Sequence, residues 1–179
     1  RREFLTIDEV KTLIDAPCRR EDIKSAFLFS CYCGLRISDV LALKWKNVDC
    51  TGEQWHINII MQKTQQPLYL PLSMQARKWM PERDGSGEEE AVFSTLPCED
   101  TCNVQIKQWV KEAGITKHVT YHVRRHTFAT MLLTLGADLY TVCKLLGHTD
   151  VKTTQIYAKI INKKKDDAIG LIDTEFAYT

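Results

Sequence analysis

Residues 120–130 read Thr-Tyr-His-Val-Arg-Arg-His-Thr-Phe-Ala-Thr, and residues 145–157 read Leu-Leu-Gly-His-Thr-Asp-Val-Lys-Thr-Thr-Gln-Ile-Tyr. His122 and Arg125 are three positions apart, and residues with that spacing lie on one face of a helix. An imidazole and a guanidinium that face one target suit a phosphate group, because both can donate hydrogen bonds to its oxygens. Each residue alone would be ordinary. Together with His148 and Tyr157, they indicate a phosphate-directed site.

Capping residues predict a helix around the first of these segments. Thr120 is a suitable N-cap, and the helix is predicted to run to Leu135 and to end at Gly136. Because helix N-termini favour anions, the backbone would add to the charge of Arg125. The neighbouring His126 is turned about 100° away from Arg125. We therefore predict that His126 is a structural histidine bonded to backbone.

A buried helix followed by a charged turn is predicted upstream. Apolar residues spaced by three and four predict a helix from Glu21 to Cys33, which ends at Gly34. Arg36 follows in the turn, and Ser38 is predicted to cap a helix over residues 39–45. A charged side chain between two apolar helices needs a reason to be there, so Arg36 is a candidate site residue.

Residues 48–72 change to an alternating pattern, which predicts a small three-stranded antiparallel sheet. Turns are predicted at residues 49–52 and 63–66, and Lys63 lies at the tip of the second hairpin. Residues 92–93 are predicted to be briefly extended. The fold class is therefore α+β and mainly α, with further helices predicted at residues 6–15, 73–80, 101–113, 138–146 and 150–160, and a last amphipathic segment at 167–172.

Composition limits the class of protein. A chain of 179 residues with 44% hydrophobic content can form one packed domain. It has no run of 18 apolar residues, so we expect a soluble intracellular protein. The seven cysteines lack the paired spacing of a zinc site, and we expect reduced thiols.

The charge is unevenly distributed. The net charge of +1 alone would argue against a DNA-binding protein. However, residues 117–165 contain nine lysines or arginines against two aspartates, a local +7, whereas residues 82–100 have a local charge of −6. A basic face beside an acidic loop suits a polyanion that is bound on one side.

The motifs resemble the tyrosine recombinase family, the phage-integrase-like site-specific recombinases. The family combines His-x-x-Arg, Leu-Leu-Gly-His, a tyrosine about nine residues later, and an upstream arginine in a Gly-Leu-Arg turn. This chain contains each element in that order, and the resemblance covers nearly its whole length. It implies the catalytic residues Arg36, Lys63, His122, Arg125, His148 and Tyr157, with Asp39 holding a basic group in place, and DNA contacts by Arg124, Lys152 and Lys159.

The resemblance implies DNA cleavage and rejoining through a covalent 3′-phosphotyrosyl intermediate. Tyr157 would attack the phosphate, and Arg36, Arg125 and His148 would bind its nonbridging oxygens. His122 would accept the proton of the tyrosine, and Lys63 would protonate the leaving 5′ oxygen. No cofactor and no metal are implied, because the arginines and the lysine supply the positive charge. Family members often have an apolar residue where Arg124 stands, but the three-residue spacing from His122 favours Arg125 as the phosphate ligand.

The resemblance also implies partners and context. We expect residues 1–179 to be a catalytic domain, with the family's N-terminal core-binding domain absent from this chain. The partners would be double-stranded DNA, other copies in a homotetramer and accessory DNA-bending proteins. The tail after Tyr157 would either dock on a neighbouring protomer through Ile169, Leu171 and Ile172 or pack on its own domain. The location would be the cytoplasm of a prokaryote, on the nucleoid. Two alternatives remain: a type IB topoisomerase, and a catalytically silent DNA-binding module of the same fold.

Overall fold

The computed structural model describes residues 3–147 and 157–177. Helices and a small sheet alternate along the chain, and together they confirm the predicted fold class. The elements are α1 (Ile7–Asp15), α2 (Glu21–Cys33), α3 (Ile37–Ala42), a 3₁₀ turn (Trp45–Asn47), β1 (Val48–Asp49), β2 (His56–Ile60), β3 (Pro67–Pro71), α4 (Met74–Lys78), α5 (Glu99–Glu112), α6 (Val123–Leu135), α7 (Leu139–Leu145) and α8 (Ala158–Glu175).

The sheet is antiparallel with strand order β1-β2-β3, as predicted. Residue Ile57 of β2 pairs with Leu70 of β3, and both side chains are buried. The alternate positions face outward, and Tyr69 is 58% exposed. One face of the sheet therefore packs on the helices, which accounts for the alternating sequence pattern.

Helix α2 is the centre of the core, and it packs against α4, α5 and α6. The ring of Phe27 on α2 meets Trp109 of α5 and Tyr121 edge to face, with centroid separations of 5.7 and 6.1 Å. These rings are fully buried, and aromatic pairs with this geometry stabilise a core beyond the area they bury. All seven cysteines are free, and five of them are buried.

Several predicted boundaries were wrong. Helix α6 begins at Val123 instead of after Thr120, because the backbone N–H of Tyr121 donates to Asn103 Oδ1 at 2.7 Å and the segment before α6 forms a turn. Helix α3 begins at Ile37 and makes no side-chain cap with Ser38. Residues 92–93 lie in a turn instead of an extended piece.

The end of the described chain is one long helix instead of two segments. Helix α8 runs without interruption from Ala158 to Glu175. The first part of the helix predicted over residues 150–160 lies outside the described residues. No described helix has both the length and the apolar character needed to cross a membrane.

Candidate active site

Gly34 brings the end of α2 into direct contact with α6. It caps α2 with φ of +76°, in the left-handed region that glycine tolerates, and its N–H donates to Ser30 O at 2.7 Å. A Cβ atom at this position would lie 2.5 Å from Cδ1 of Phe128 on α6. Only glycine allows this approach, and the approach places Arg36, two residues later, beside α6.

Arg125 joins three parts of the molecule. Its side chain is 8% exposed, and it donates from Nη1 to Gly34 O at 2.8 Å and from Nη2 to Leu146 O at 3.1 Å. The two carbonyls belong to the end of α2 and the end of α7. The fork of an arginine can satisfy both at once, so the guanidinium is held in one orientation.

Arg36 and Arg125 form a pair of like charges. Burial first, and then the charge of Arg36, lower the pKa of Arg125 to about 9. Negative charge on Asp39 and Tyr157 opposes this shift. A guanidinium whose charged form is disfavoured by a second guanidinium is stabilised by an anion that contacts both. The arginine pair, as we call Arg36 and Arg125, is therefore a candidate anion site.

Lys63 lies at the exposed tip of the β2–β3 hairpin, here called the hairpin tip and defined as residues 61–66. Asp39, which is 3% exposed, accepts a hydrogen bond at 2.8 Å from the N–H of Gln62, the residue before Lys63. Asp39 thus connects the helix that follows Arg36 to the strand end that carries Lys63. The carboxylate of Asp39 accepts its hydrogen bond from the backbone, and its negative charge raises the pKa of Arg125.

Met61 anchors the hairpin tip to the arginine pair. Its sulfur lies 3.9 Å from Nη1 of Arg36, and a Cβ atom on Gly147 would lie 2.5 Å from the same sulfur. Gly147 has φ of +74° and lies two residues after the end of α7. The hairpin tip, the α7 end and the α2 end therefore meet at one point. His148, the next residue, lies outside the described residues.

His122 is exposed and occupies the N-cap position of α6, one residue before the helix begins. The preceding residue, Tyr121, is fully buried, and its hydroxyl lies 3.1 Å from Ser30 Oγ and from Ala26 O. Because Tyr121 is fixed on α2, the position of the His122 backbone is set by the core.

Arg124 lies in the core, which corrects the prediction that it contacts DNA. It is 1% exposed, its Nη1 donates to Tyr121 O, and its guanidinium carbon lies 4.1 Å from the centre of the Tyr121 ring. Burial lowers its pKa to about 10. Arg124 lies on a buried face of α6 and packs on the Tyr121 ring, so it is not exposed to a phosphate.

Tyr157 lies at the start of α8 and is 7% exposed, among Phe128, Leu133 and other apolar residues of α6 and α7. Its hydroxyl lies 3.3 Å from Nδ1 of His126. His126 therefore contacts the predicted nucleophile, a contact that the predicted structural role did not include. The ring of His122 lies 5.9 Å from that of His126.

Two further DNA contacts were predicted, Lys152 and Lys159. Lys159 is exposed on α8, and Lys152 lies outside the described residues. Sequence reasoning missed His126 and Met61. The signal for His126 was its spacing of four from His122, which places both on one helix face. Met61 had no such signal, because a methionine at a strand end is usually core.

The chain matches known proteins along most of its length. The model of the phage integrase family matches residues 3–164. Tyrosine recombinase XerD of Proteus mirabilis is 33% identical over 177 residues, which cover 89% of this chain and 56% of that protein. The chain thus spans about half the length of the curated relatives it matches.

Solved structures show the same fold. XerA recombinase is similar with a TM-score of 0.70 and 26% identity, over 93% of this chain and 63% of that one. XerH recombinase, solved as a post-cleavage complex with its palindromic difH substrate, has a TM-score of 0.67 and 18% identity, over 96% of this chain and 54% of that one. Because the family model spans most of its length and XerD is one third identical, the chain belongs to the phage integrase family of tyrosine recombinases.

Proposed function

We propose that this chain is the catalytic domain of a site-specific DNA recombinase that cuts and rejoins DNA through a covalent 3′-phosphotyrosyl intermediate. The observation that carries the proposal is the arginine pair beside a buried tyrosine. Burial and then the charge of Arg36 lower the pKa of Arg125, and the negative charge of Tyr157 opposes this shift. A phosphodiester placed between the arginines would lie within reach of the tyrosine.

The arginine pair would bind the nonbridging oxygens of the phosphate. Charge accumulates on these oxygens as the tyrosine attacks, and groups that are already oriented stabilise that charge without reorganising. The hydrogen bonds of Arg125 to Gly34 O and Leu146 O supply this orientation. His148 would donate to the same phosphate from the turn after Gly147.

Cleavage requires one proton to leave the tyrosine and another to reach the departing oxygen. Tyr157 Oη would form the bond to phosphorus while the bond to the 5′ oxygen breaks. Lys63 would protonate that oxygen, because this lysine follows two residues after Met61, whose sulfur lies 3.9 Å from Nη1 of Arg36. Sequence reasoning assigns the proton of the tyrosine to His122, and His126 is a second candidate. No cofactor is needed, because the phosphotyrosyl bond conserves the energy for rejoining.

Double-stranded DNA is the proposed substrate. The related XerH was solved with a DNA substrate bound, and the sequence between residues 117 and 165 has a local charge of +7. Exposed Lys159, and Lys152 seven residues before it in the sequence, are proposed phosphate contacts. Binding that depends on phosphate contacts weakens steeply with salt. In a prokaryotic cell this DNA would be part of the nucleoid in the cytoplasm, and accessory DNA-bending proteins would be further partners.

We propose that the second half of α8 docks on another copy of the chain in a homotetramer on DNA. Ile160 and Ile161 pack on the α6–α7 core, whereas Ile169, Leu171 and Ile172 are 66%, 69% and 58% exposed. Replacing these three by serine should leave the isolated protein as stable as before but reduce assembly on DNA, as measured by mass photometry. The matched control is Val104→Ser on α5, which is also exposed. Unchanged assembly in the triple variant would contradict the docking proposal.

A covalent-capture assay tests the proposed function. The full-length protein is incubated with nicked duplexes that have a randomised core, and covalent complexes are isolated on a denaturing gel and sequenced. A nick just downstream of the cleavage site lets the short fragment with the new 5′ hydroxyl diffuse away, which traps the 3′-phosphotyrosyl intermediate. We expect a covalent band that Tyr157→Phe abolishes and Tyr140→Phe, an exposed control on α7, retains.

The same assay distinguishes the alternatives. DNA binding without a covalent band in the wild-type protein would indicate the catalytically silent module. A covalent band with relaxation of supercoiled DNA, but with no exchange between two recovered sites, would indicate a topoisomerase. The match to recombinases along most of the chain does not favour either alternative.

A further inference from the structure

The side chain of His126 contacts the hydroxyl of Tyr157, and the catalytic residues predicted from the sequence do not include it. It lies on α6, four residues after His122, and its Nδ1 is 3.3 Å from Tyr157 Oη. His126 is half-buried, and the tyrosine is 7% exposed. The two side chains come from helices that are far apart in sequence, so the contact is made by the fold.

Tyr157 lies in an apolar part of the core. It belongs to one buried cluster with Phe128, Ala129, Leu133, Val142 and Leu146. A phenol is ionised in about one molecule per thousand at neutral pH, so attack needs a base next to the hydroxyl. In the described structure the imidazole of His126 occupies such a place.

We propose that His126 accepts the proton of Tyr157 during DNA cleavage, and returns it when the DNA is rejoined. The inference rests on the proposed function. As Oη forms its bond to phosphorus, the O–H bond breaks and its proton moves to Nδ1, while the bond from phosphorus to the 5′ oxygen breaks. His126 must start neutral, with its proton on Nε2, and it ends as an imidazolium. No oxidant, metal or further reactant is required.

The charged and titratable groups around the pair fit this role. Among the described residues, His122 faces His126 from the start of α6, with ring planes at 75° to each other. The negative charge of an ionised Tyr157 raises the pKa of Arg125, so the neighbouring Arg125 guanidinium favours the ionised phenol. His122 is exposed, which suits it to exchange protons with solvent or to contact the phosphate, and His126 lies between it and the tyrosine.

The first test compares His126→Asn with His118→Asn. Asparagine can keep a hydrogen-bond acceptor close to the position of Nδ1, but it cannot take the proton, so a merely structural role would be preserved. Single-turnover cleavage is measured on a nicked duplex recovered by covalent capture. We expect His126→Asn to cleave about 100-fold more slowly at unchanged DNA affinity, and the exposed His118→Asn to match the wild type.

The pH profile and the leaving group separate this role from others. Because histidine titrates near neutral pH, the wild-type rate should fall on the acidic side, and His126→Asn should lose this fall. A substrate with sulfur in place of the bridging 5′ oxygen needs no acid, so it should not restore His126→Asn. If His126→Asn cleaves at the wild-type rate, and its rate still falls on the acidic side, the proposal is overturned. Faster cleavage by His126→Asn would also overturn it, since His126 would then restrain the tyrosine instead of accepting its proton.

A measurement without DNA tests the contact itself. The imidazole nitrogens are observed by ¹⁵N NMR in the wild-type protein and in Tyr157→Phe. The Nδ1 signal of His126 should shift when the hydroxyl is removed, while that of His118 stays in place. An unshifted His126 signal would overturn the proposal even if cleavage is normal. If the wild-type protein forms no covalent complex at all, the proposed function fails, whatever the NMR result.

Discussion

The arginine pair and the hairpin tip lie side by side but are built differently. Arg125 is 8% exposed and bonded to carbonyls from two helix ends, and Gly34 allows the ends of α2 and α6 to touch. Lys63 is exposed at the end of a hairpin, and none of the described residues forms a hydrogen bond or ion pair with its ammonium. One half of the proposed site is therefore part of the core, and the other half is at the surface.

This difference predicts how the two halves respond to mutation. Changes in the arginine pair should reduce folding stability and DNA cleavage together, because the same bonds hold the core and orient the guanidinium groups. Changes at the hairpin tip should reduce cleavage alone. The Asp39–Gln62 hydrogen bond and the Met61 contact are where the two halves meet.

The largest effect is expected for Arg125→Lys. Lysine keeps a positive charge but cannot donate to both carbonyls and to a phosphate, so cleavage should fall about 1,000-fold. The free energy of unfolding should also fall by about 1–3 kcal/mol, because a buried carbonyl is left without its donor. Single-turnover cleavage and urea denaturation measure the two effects. Arg19→Lys, at an exposed position, is the control, and a loss of cleavage at full stability would remove the proposed link between the two.

A smaller effect, on cleavage alone, is expected for Lys63→Ala. Loss of a general acid should slow cleavage about 100-fold, whereas the free energy of unfolding should stay within about 0.5 kcal/mol, as is usual for exposed residues. The substrate with a 5′ bridging sulfur should restore the rate, because a thiolate leaves without protonation. Exposed Lys11→Ala on α1 should behave as the wild type. If the sulfur substrate does not restore the rate, Lys63 has another role.

The smallest expected effect is the difference in unfolding free energy between Gly34→Ala and Gly114→Ala. Gly34 and Gly114 have φ of +76° and +81°, but a Cβ atom meets Phe128 only at Gly34. Alanine at Gly114 should cost about 1–2 kcal/mol from the left-handed backbone. At Gly34 it should cost about 2 kcal/mol more, from the clash with Phe128. Equal losses by urea denaturation would mean that the α2 end moves away from α6 without penalty.

Most of the fold was predictable from local signals. The capping box of Thr6 and Glu9, the C-cap of Gly34 and the alternating residues of β2 each specify their element through neighbours in sequence. The start of α6 was not, because it depends on the hydrogen bond of Tyr121 to Asn103 on α5. A threonine that is a good N-cap locally was outweighed by a distant contact.

The candidate site was predictable in its residue types but not in their directions. Spacing from His122 selected Arg125 over Arg124, and the structure places Arg125 between the α2 and α7 ends. Spacing could not show that Arg124 turns into the core or that His126 reaches Tyr157 across the helix packing. Those directions depend on which faces of α6 are covered by α2 and α8.

The sequence by itself determined which chemical groups this protein has and along which helices and turns they lie, because capping, glycine conformations and residue spacing act over a few neighbouring residues. Only the tertiary structure decided which groups meet. The pairing of Arg36 with Arg125, the burial of Arg124 and the contact of His126 with Tyr157 join residues from separate elements. Burial and through-space charge set these properties, and neither can be read from neighbours in sequence.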